Sequence, residues 1–468
     1  MLTYRASMKE RWRLVVEGLG KIERAAVEIH PLMLLVGPNN TGKNYLATVF
    51  WGLVAMQLDL APPPGPALQA CDEWIGRHIV EGGRSASHEL NAEEIALFDR
   101  LFESTLQANQ DQLVSRIFNS ESVKVRHLEF RNVSQGRRAR FEWAAAEQPG
   151  THKLAVHDGL GDDERSIKTD LRADDLESVR IAARDLLMRR LTFARMTRLF
   201  QPFQDTFSRI DPIFLPASRT GFVQLYKAAT RQIMRGAYRR VDDEGDLLDL
   251  TAPAFHFVDM LAFGLKEKRA PAFAAEADLL EGALKGQVEL VTGSATNDFR
   301  YKPGGAHAAL SMSRSSSLVT ELAPLVLVLR HLSSFPVLIL EEPEAHLHPE
   351  LQRRIAQVIV RLIRKGRHVW ITTHSENLCQ QINNFLELGA LAQDRRGNAQ
   401  QQLGYGEQDY LLLDEVGGYE FRLDPAGERS SVVEMKKTAR GIVMPTFNTM
   451  LLRLGDEVER LDQLLAEE

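Results

Sequence analysis

The sequence predicts an α/β fold built on buried strands, with helical and small antiparallel β insertions. Three observations carry that expectation. Leu32–Val36 and Pro336–Leu340 read as short, essentially apolar runs, the character of strands covered on both faces. Glu350–Lys365 puts Leu351, Ile355, Val358, Ile359 and Leu362 on one face and stops at Gly366, a helix by period and cap. A further buried run, Val369–Thr373, follows it, so helix and strand alternate.

In chain order, Arg13–Glu17 and Ala25–Ile29 read as strands around a Gly-containing turn, and Leu32–Val36 leads through Gly37 into a helix over Tyr45–Met56. The Pro-rich stretch Pro62–Pro66 is a loop. Residues 88–118 read as helix, opening at Asn91 with acidic residues in the first turn. Alternation at Val123–Phe130, Arg138–Trp143 and Lys153–Val156 predicts one small antiparallel sheet. From about 165 to 285 the text is mainly helical, interrupted by Pro212–Pro216. Strands at Gln287–Val291 and Asp298–Tyr301 come next, then a helix over Leu318–His331 with Pro324 inside it. Tyr410–Leu413 and Tyr419–Phe421 read as strands, and Pro445–Leu465 as an amphipathic helix.

The 468 residues suit two or three domains, and 44% hydrophobic against 26% charged residues excludes wholesale disorder. A net charge of −6 excludes a protein that is basic all over. Two distant cysteines, Cys71 and Cys379, exclude a disulfide framework and a four-cysteine zinc site. No apolar run approaches the ~20 residues of a membrane span, and the first residues lack the apolar core of a signal peptide, so a cytoplasmic protein is expected.

Two motifs carry chemistry. Gly37, Pro38, Asn39, Asn40, Thr41, Gly42, Lys43, Asn44 and Tyr45 lie between a buried strand and a helix. The glycines let backbone N–H groups wrap a phosphate at a helix N-terminus, and Lys43 adds a mobile full charge. The motif normally ends in Ser or Thr, a magnesium ligand, whereas this chain has Asn44, so slowed and normal turnover both stay open. The second motif is Glu341-Glu342-Pro-Glu344-Ala-His346-Leu-His348, at the end of a buried strand. There Glu341 would hold Mg²⁺ and Glu342 would orient and deprotonate water. A rival reading gathers the glutamates with His346 and His348 around a transition metal. His374 ends the following strand and is placed to bond a phosphate oxygen.

Together these pieces resemble the ABC-type ATPase heads of the RecF/SMC/OLD group, in order along most of the chain. Gly37–Lys43 is similar to that group's Walker A motif, Val337–Pro349 to its Walker B and D-loop, and Thr372–Ser375 to its His switch. Ser313–Ser317 resembles a degenerate signature motif, with Ser316 and Ser317 the serines expected to face the opposite subunit's ATP. The resemblance implies a P-loop NTPase fold, ATP and Mg²⁺ as cofactors, and two heads joined head-to-tail across ATP. It also implies catalytic roles for Lys43, Glu342 and His374. Leu215–Gly221 looks like a segment of small AAA/OLD-like ATPases, without a role for Arg219, and Gln57 is a candidate for the glutamine loop.

The expected organisation is 1–160 and 286–390 as the two parts of the ATPase head, 161–285 as a mainly helical insertion, and 391–468 as an appendage. Lys227, Arg231, Arg235 and Arg239 recur every four residues, and six arginines fall within 176–200. They form either a nucleic-acid face or a solvated one, with the acidic run Asp242–Asp246 available to neutralise it. By resemblance, compact members of this kind serve in anti-phage defence as sensors or scaffolds for a separate effector such as a nuclease. The alternatives are a DNA-repair or recombination ATPase acting on DNA directly, and a nucleotide-gated assembly protein with little hydrolysis.

Overall fold

The computed structural model describes residues 11–55, 60–80, 85–134, 137–145, 151–160, 163–172, 176–188, 212–237, 250–266, 271–291 and 296–466. Gln57, Arg239, Arg189, Arg190, Arg195, Arg198 and the acidic run 242–246 lie outside these residues. The chain forms two compact units, Met1–Ile29 with Thr48–Pro212, and His30–Ala47 with Ile213–Glu468.

In the first unit, Trp12–Leu19 and Ile22–Glu28 form the expected hairpin, and His127–Asn132 pairs antiparallel with the other side of Trp12–Leu19. A separate antiparallel sheet runs in the order Ser85–Leu90, Arg137–Ala145, Thr151–Leu160, Asp163–Arg172. The three alternating segments predicted as one sheet therefore divide between two sheets. Alternation identifies a strand and one buried face, but says nothing about its neighbour. Asp163–Arg172, expected within a mainly helical region, is a strand paired with Thr151–Leu160. The predicted helix over 88–118 opens with the strand residues 88–90 and then divides into Ala92–Ala108 and Gln110–Phe118. Asn91 caps the first with a full capping box, accepting from the N–H groups of Glu93 and Glu94 while Glu94 accepts from Asn91.

The second unit is built on a mixed sheet in the order Ser430–Glu434, Val416–Leu423, Leu32–Val36, His368–Thr373, Val337–Glu341, Ile213–Leu215. The first pair is antiparallel and every other pair parallel. Leu32–Val36, Val337–Glu341 and His368–Thr373 are buried at every residue, as continuous apolar runs require. Pro212–Pro216, read as an interruption, contains the edge strand Ile213–Leu215, which prolines on both sides confine to three residues. Tyr410–Leu413 is not a strand; Leu411 donates its N–H to the Phe385 carbonyl, and a 3₁₀ turn follows at Leu413–Glu415.

Helices Ser317–His331, Pro349–Arg364 and Glu376–Ala390 bury most of their apolar residues, and Gly286–Val291, Asp298–Pro303 and Leu310–Ser311 make a small antiparallel sheet. In the terminal helix Pro445–Ala466, Leu454, Val458, Leu461 and Leu465 are exposed. No helix among the described residues is long and apolar enough to cross a membrane.

Candidate functional site

The parallel register aligns three strand ends. Val36 pairs with Thr373, and Thr372 pairs with Glu341, so Gly37, His374 and Glu342 leave adjacent strands at the same edge of the sheet. Ligands of open α/β sheets bind outside such carboxyl ends.

Gly37 leaves its strand at φ 152°, and an added Cβ would lie 2.6 Å from the Phe421 carbonyl oxygen. Only glycine fits there. Pro38, Asn39 and Asn40 are exposed, and Asn40 adopts φ 61°, a left-handed conformation that asparagine tolerates. Thr41 Oγ1 donates to the Pro38 carbonyl at 2.9 Å, and Ser430 Oγ donates to the Thr41 carbonyl at 2.6 Å. The helix Lys43–Ala55 begins as the loop ends, which leaves the N–H groups of its first turn without intrahelical acceptors. Lys43 is buried, and its Nζ donates to the carbonyls of Gly37 at 2.8 Å and Pro38 at 2.7 Å. Burial lowers the Lys43 pKa, opposed by the negative charges of Glu342 and Glu344. The loop lysine and the acids after Val337–Glu341 thus share one electrostatic neighbourhood. Asn44 is half-buried and Tyr45 exposed.

The two adjacent acids differ sharply. Glu341 is buried, accepts from the Ala217 N–H at 3.2 Å, and has its pKa pushed up to about 7, chiefly by desolvation. Glu342 is half-buried and sits at φ 43°, a strained conformation for a glutamate. Both ends of its backbone are pinned. Its N–H donates to Thr372 O at 2.9 Å, and its carbonyl accepts from Arg219 at 3.2 Å.

Glu344 does not join a histidine cluster. Its Oε1 accepts from Thr373 Oγ1 at 2.7 Å and from the His374 N–H at 2.9 Å, clamping the end of His368–Thr373. Its Oε2 is buried without a hydrogen-bond partner. His348 caps the helix Pro349–Arg364, and among the described residues the 341–348 acids and histidines do not converge as a metal-ligand group. The His374 side chain is 48% exposed, with Nδ1 3.5 Å from Glu344.

Arg219 is the residue the sequence left without a role. It is 3% exposed and donates to the backbone carbonyls of Pro216, Glu341, Glu342 and Glu321, while pairing with the Glu321 carboxylate at 2.6 Å. The other Glu321 oxygen accepts from Thr220 N and Oγ1. Glu321 lies in the first turns of Ser317–His331, whose N-cap is Ser316. Ser316 and Ser317 are exposed, and Ser316 Oγ accepts from the Val319 N–H at 3.4 Å. One guanidinium therefore ties the start of the serine-capped helix to the backbone of both acids. The sequence signal was Arg219 itself, a cation directly after a buried strand and next to no acid in the chain.

A family model described as AAA domain, putative AbiEii toxin, Type IV TA system matches residues 305–380. Those residues carry Ser316, Ser317, both acids and His374. The fold is that of a P-loop NTPase.

The search of curated proteins gave no match. Among solved structures, the SmcHead bound to the C-winged helix domain of ScpA is 13% identical, covering 91% of this chain and 97% of its own, at TM-score 0.36. The SMC head domain from Thermotoga maritima is 11% identical, covering 91% and 98%, at TM-score 0.31. A Smc head domain with an extended coiled coil, bound to the C-terminal domain of ScpA derived from Pyrococcus furiosus, is 12% identical, covering 96% and 98%, at TM-score 0.34.

The residues fit a nucleotide and a divalent cation. A buried lysine beside an anion-wrapping loop, a carboxyl held near pH 7 by desolvation, and the orphaned Glu344 Oε2 are all relieved by charges of the right sign. Lys227 is paired with Asp298 at 2.5 Å, while Arg231 is exposed on the same helix, Arg219–Ala237, which also carries Arg235. Of the arginines in 176–200, Arg184 pairs with Asp72.

Proposed function

We propose that this chain binds ATP with Mg²⁺ and hydrolyses it. The observation that carries the reading is the alignment of Gly37–Lys43, Glu341–Glu342 and His374 at one edge of three adjacent parallel strands, with Lys43 in the field of Glu342 and Glu344. The loop amides and Lys43 hold the phosphates, and Lys43 exchanges its Gly37 and Pro38 carbonyl partners for phosphate oxygens. Glu341 and Asn44 would hold Mg²⁺, whose charge neutralises phosphate oxygens when it is bound. Glu342, pinned at both backbone ends, accepts the proton of the attacking water. His374, tied by its N–H to Glu344, donates to the terminal phosphate. Asn44 favours slow turnover, because its amide is a longer and bulkier donor than a hydroxyl.

In this reading two copies join head-to-tail on ATP, with Ser316 and Ser317 of each completing the other's site. What supports it is that both serines are exposed at a helix N-terminus. The cytoplasmic assembly serves as sensor or scaffold for a separate effector, a nuclease in anti-phage defence, on the strength of the sequence resemblance. Nucleic-acid contact rests on Arg231, exposed on the helix Arg219–Ala237, and DNA-stimulated turnover lost in Arg231→Glu would favour the repair reading instead.

The test is ATP binding, phosphate release and particle mass for the wild type, Lys43→Ala, Glu342→Gln and Asn44→Ser. Lys43→Ala loses binding. Glu342→Gln keeps ATP and the larger particle while turnover falls by about 10²–10⁴. Asn44→Ser raises turnover. Wild-type turnover in Glu342→Gln overturns the assignment of the base.

A further inference from the structure

We propose that His78, His88 and Glu94 form a site for a zinc-type transition metal in the first unit, apart from the nucleotide chemistry. One ligand atom from each lies within 4.8 Å of the other two. Two imidazoles and one carboxylate are a donor set that zinc uses with a fourth position open.

The three residues come from three elements. His78 lies in the π-helical turn Gly76–Val80, His88 in the strand Ser85–Leu90, and Glu94 in the first turn of Ala92–Ala108. A π turn is rare and recurs at functional sites, because its wider winding redirects one side chain. Here it carries His78 to a ring-centroid distance of 4.5 Å from His88.

The surroundings already orient the donors. The Trp74 carbonyl lies 2.8 Å from His78 Nδ1, so Nδ1 carries the proton and Nε2 keeps its lone pair. Trp74 stacks on the His78 ring at 4.4 Å and meets the His88 ring edge-on at 5.8 Å. Glu94 is oriented from two sides, Oε1 accepting from Trp74 Nε1 at 2.9 Å and Oε2 from the Asn91 N–H at 2.8 Å. His88 Nε2 lies 2.9 Å from Glu94 Oε1. Ligands on one tetrahedral zinc with bonds of ~2.0 Å are about 3.3 Å apart, so the ion takes the place of that shared proton with little movement, the proton passing through solvent to His88 Nδ1. His78, whose ligand atom lies within 4.8 Å of the other two, closes to the same ~3.3 Å spacing when it joins them. The ion would staple the π turn, the strand and the helix together.

The bland alternative is an aromatic cluster in which His88 merely satisfies Glu94. A Co²⁺ titration of chelator-treated, tag-free full-length protein separates the two. The expected result is one equivalent of Co²⁺ giving visible d–d absorption, displaced by Zn²⁺, with affinity reduced at least tenfold in His78→Ala and in His88→Gln. His88→Gln keeps a donor to Glu94, so it guards against loss of binding through misfolding. Lys43→Ala should bind Co²⁺ as the wild type does. Absence of the band, or equal affinity in the double variant His78→Ala/His88→Gln, overturns the site.

Discussion

Glu341→Gln should stabilise the nucleotide-free protein at pH 8 and leave it unchanged at pH 4. The carboxyl is buried, and desolvation pushes its pKa from 4.5 up to about 7. Between those values the folded chain binds more protons here than the unfolded chain, so stability falls as pH rises. The penalty is absent below 4.5, grows through the window, and is complete above about 7. At ~1.4 kcal/mol per pH unit, the interval corresponds to about 3 kcal/mol of lost stability. A neutral glutamine keeps an acceptor for the Ala217 N–H and is free of the ionisation cost. Chemical denaturation of wild type and variant at pH 4, 6 and 8, in chelator and without nucleotide, measures the difference. A gain independent of pH, or a variant weaker than wild type at pH 8, refutes the reasoning. The same substitution should abolish any Mg²⁺ dependence of ATP binding, because a binding-ready Glu341 is one that has lost its proton.

Arg219→Ala should cost about 3–5 kcal/mol, since it strands the buried Glu321 carboxylate; a double-mutant cycle with Glu321→Gln in the same denaturation assay should recover much of that loss as coupling. Gly37→Ala should lower the thermal midpoint and weaken ATP binding together, because the new methyl lies 2.6 Å from the Phe421 carbonyl oxygen and 3.0 Å from its Cβ. Burial pushes the Cys71 thiol up to about 12 and raises that of Cys379 as well, so neither should react with Ellman's reagent at pH 8 until the chain is unfolded, when both should.

The core of the second unit was legible because its strands are buried on both faces and carry unbroken apolar text. Leu32–Val36, Val337–Glu341 and His368–Thr373 fall within a residue or two of expectation. The first unit was harder. His127–Asn132 and Arg137–Ala145 look alike in sequence, both half-buried alternating strands, yet pair in different sheets. Ser85–Leu90 has no alternation to announce it; its pairing with Arg137–Ala145 supplies the order. Polar Asp163–Arg172 is likewise a strand through its neighbour Thr151–Leu160.

The same distinction runs through the candidate site. Glu341, Glu342 and His374 could be placed from local text because they lie at the ends of buried strands, and Lys43 because the glycine-bounded loop after Leu32–Val36 leads to it. Arg219 and Glu344 could not, because their work is done across the fold. Arg219 reaches carbonyls more than a hundred residues away, and Glu344 reaches Thr373 and His374 from the neighbouring strand's loop. These two residues hold the others in place. Glu342 holds φ 43° with Thr372 accepting at one end of its backbone and Arg219 donating at the other. Since Arg219 also grips Glu321, a shift of the serine-capped helix would act on the backbone of both acids through a single side chain. The N-terminal part of the serine-capped helix and the backbone of Glu341 and Glu342 thus share one guanidinium within the same chain.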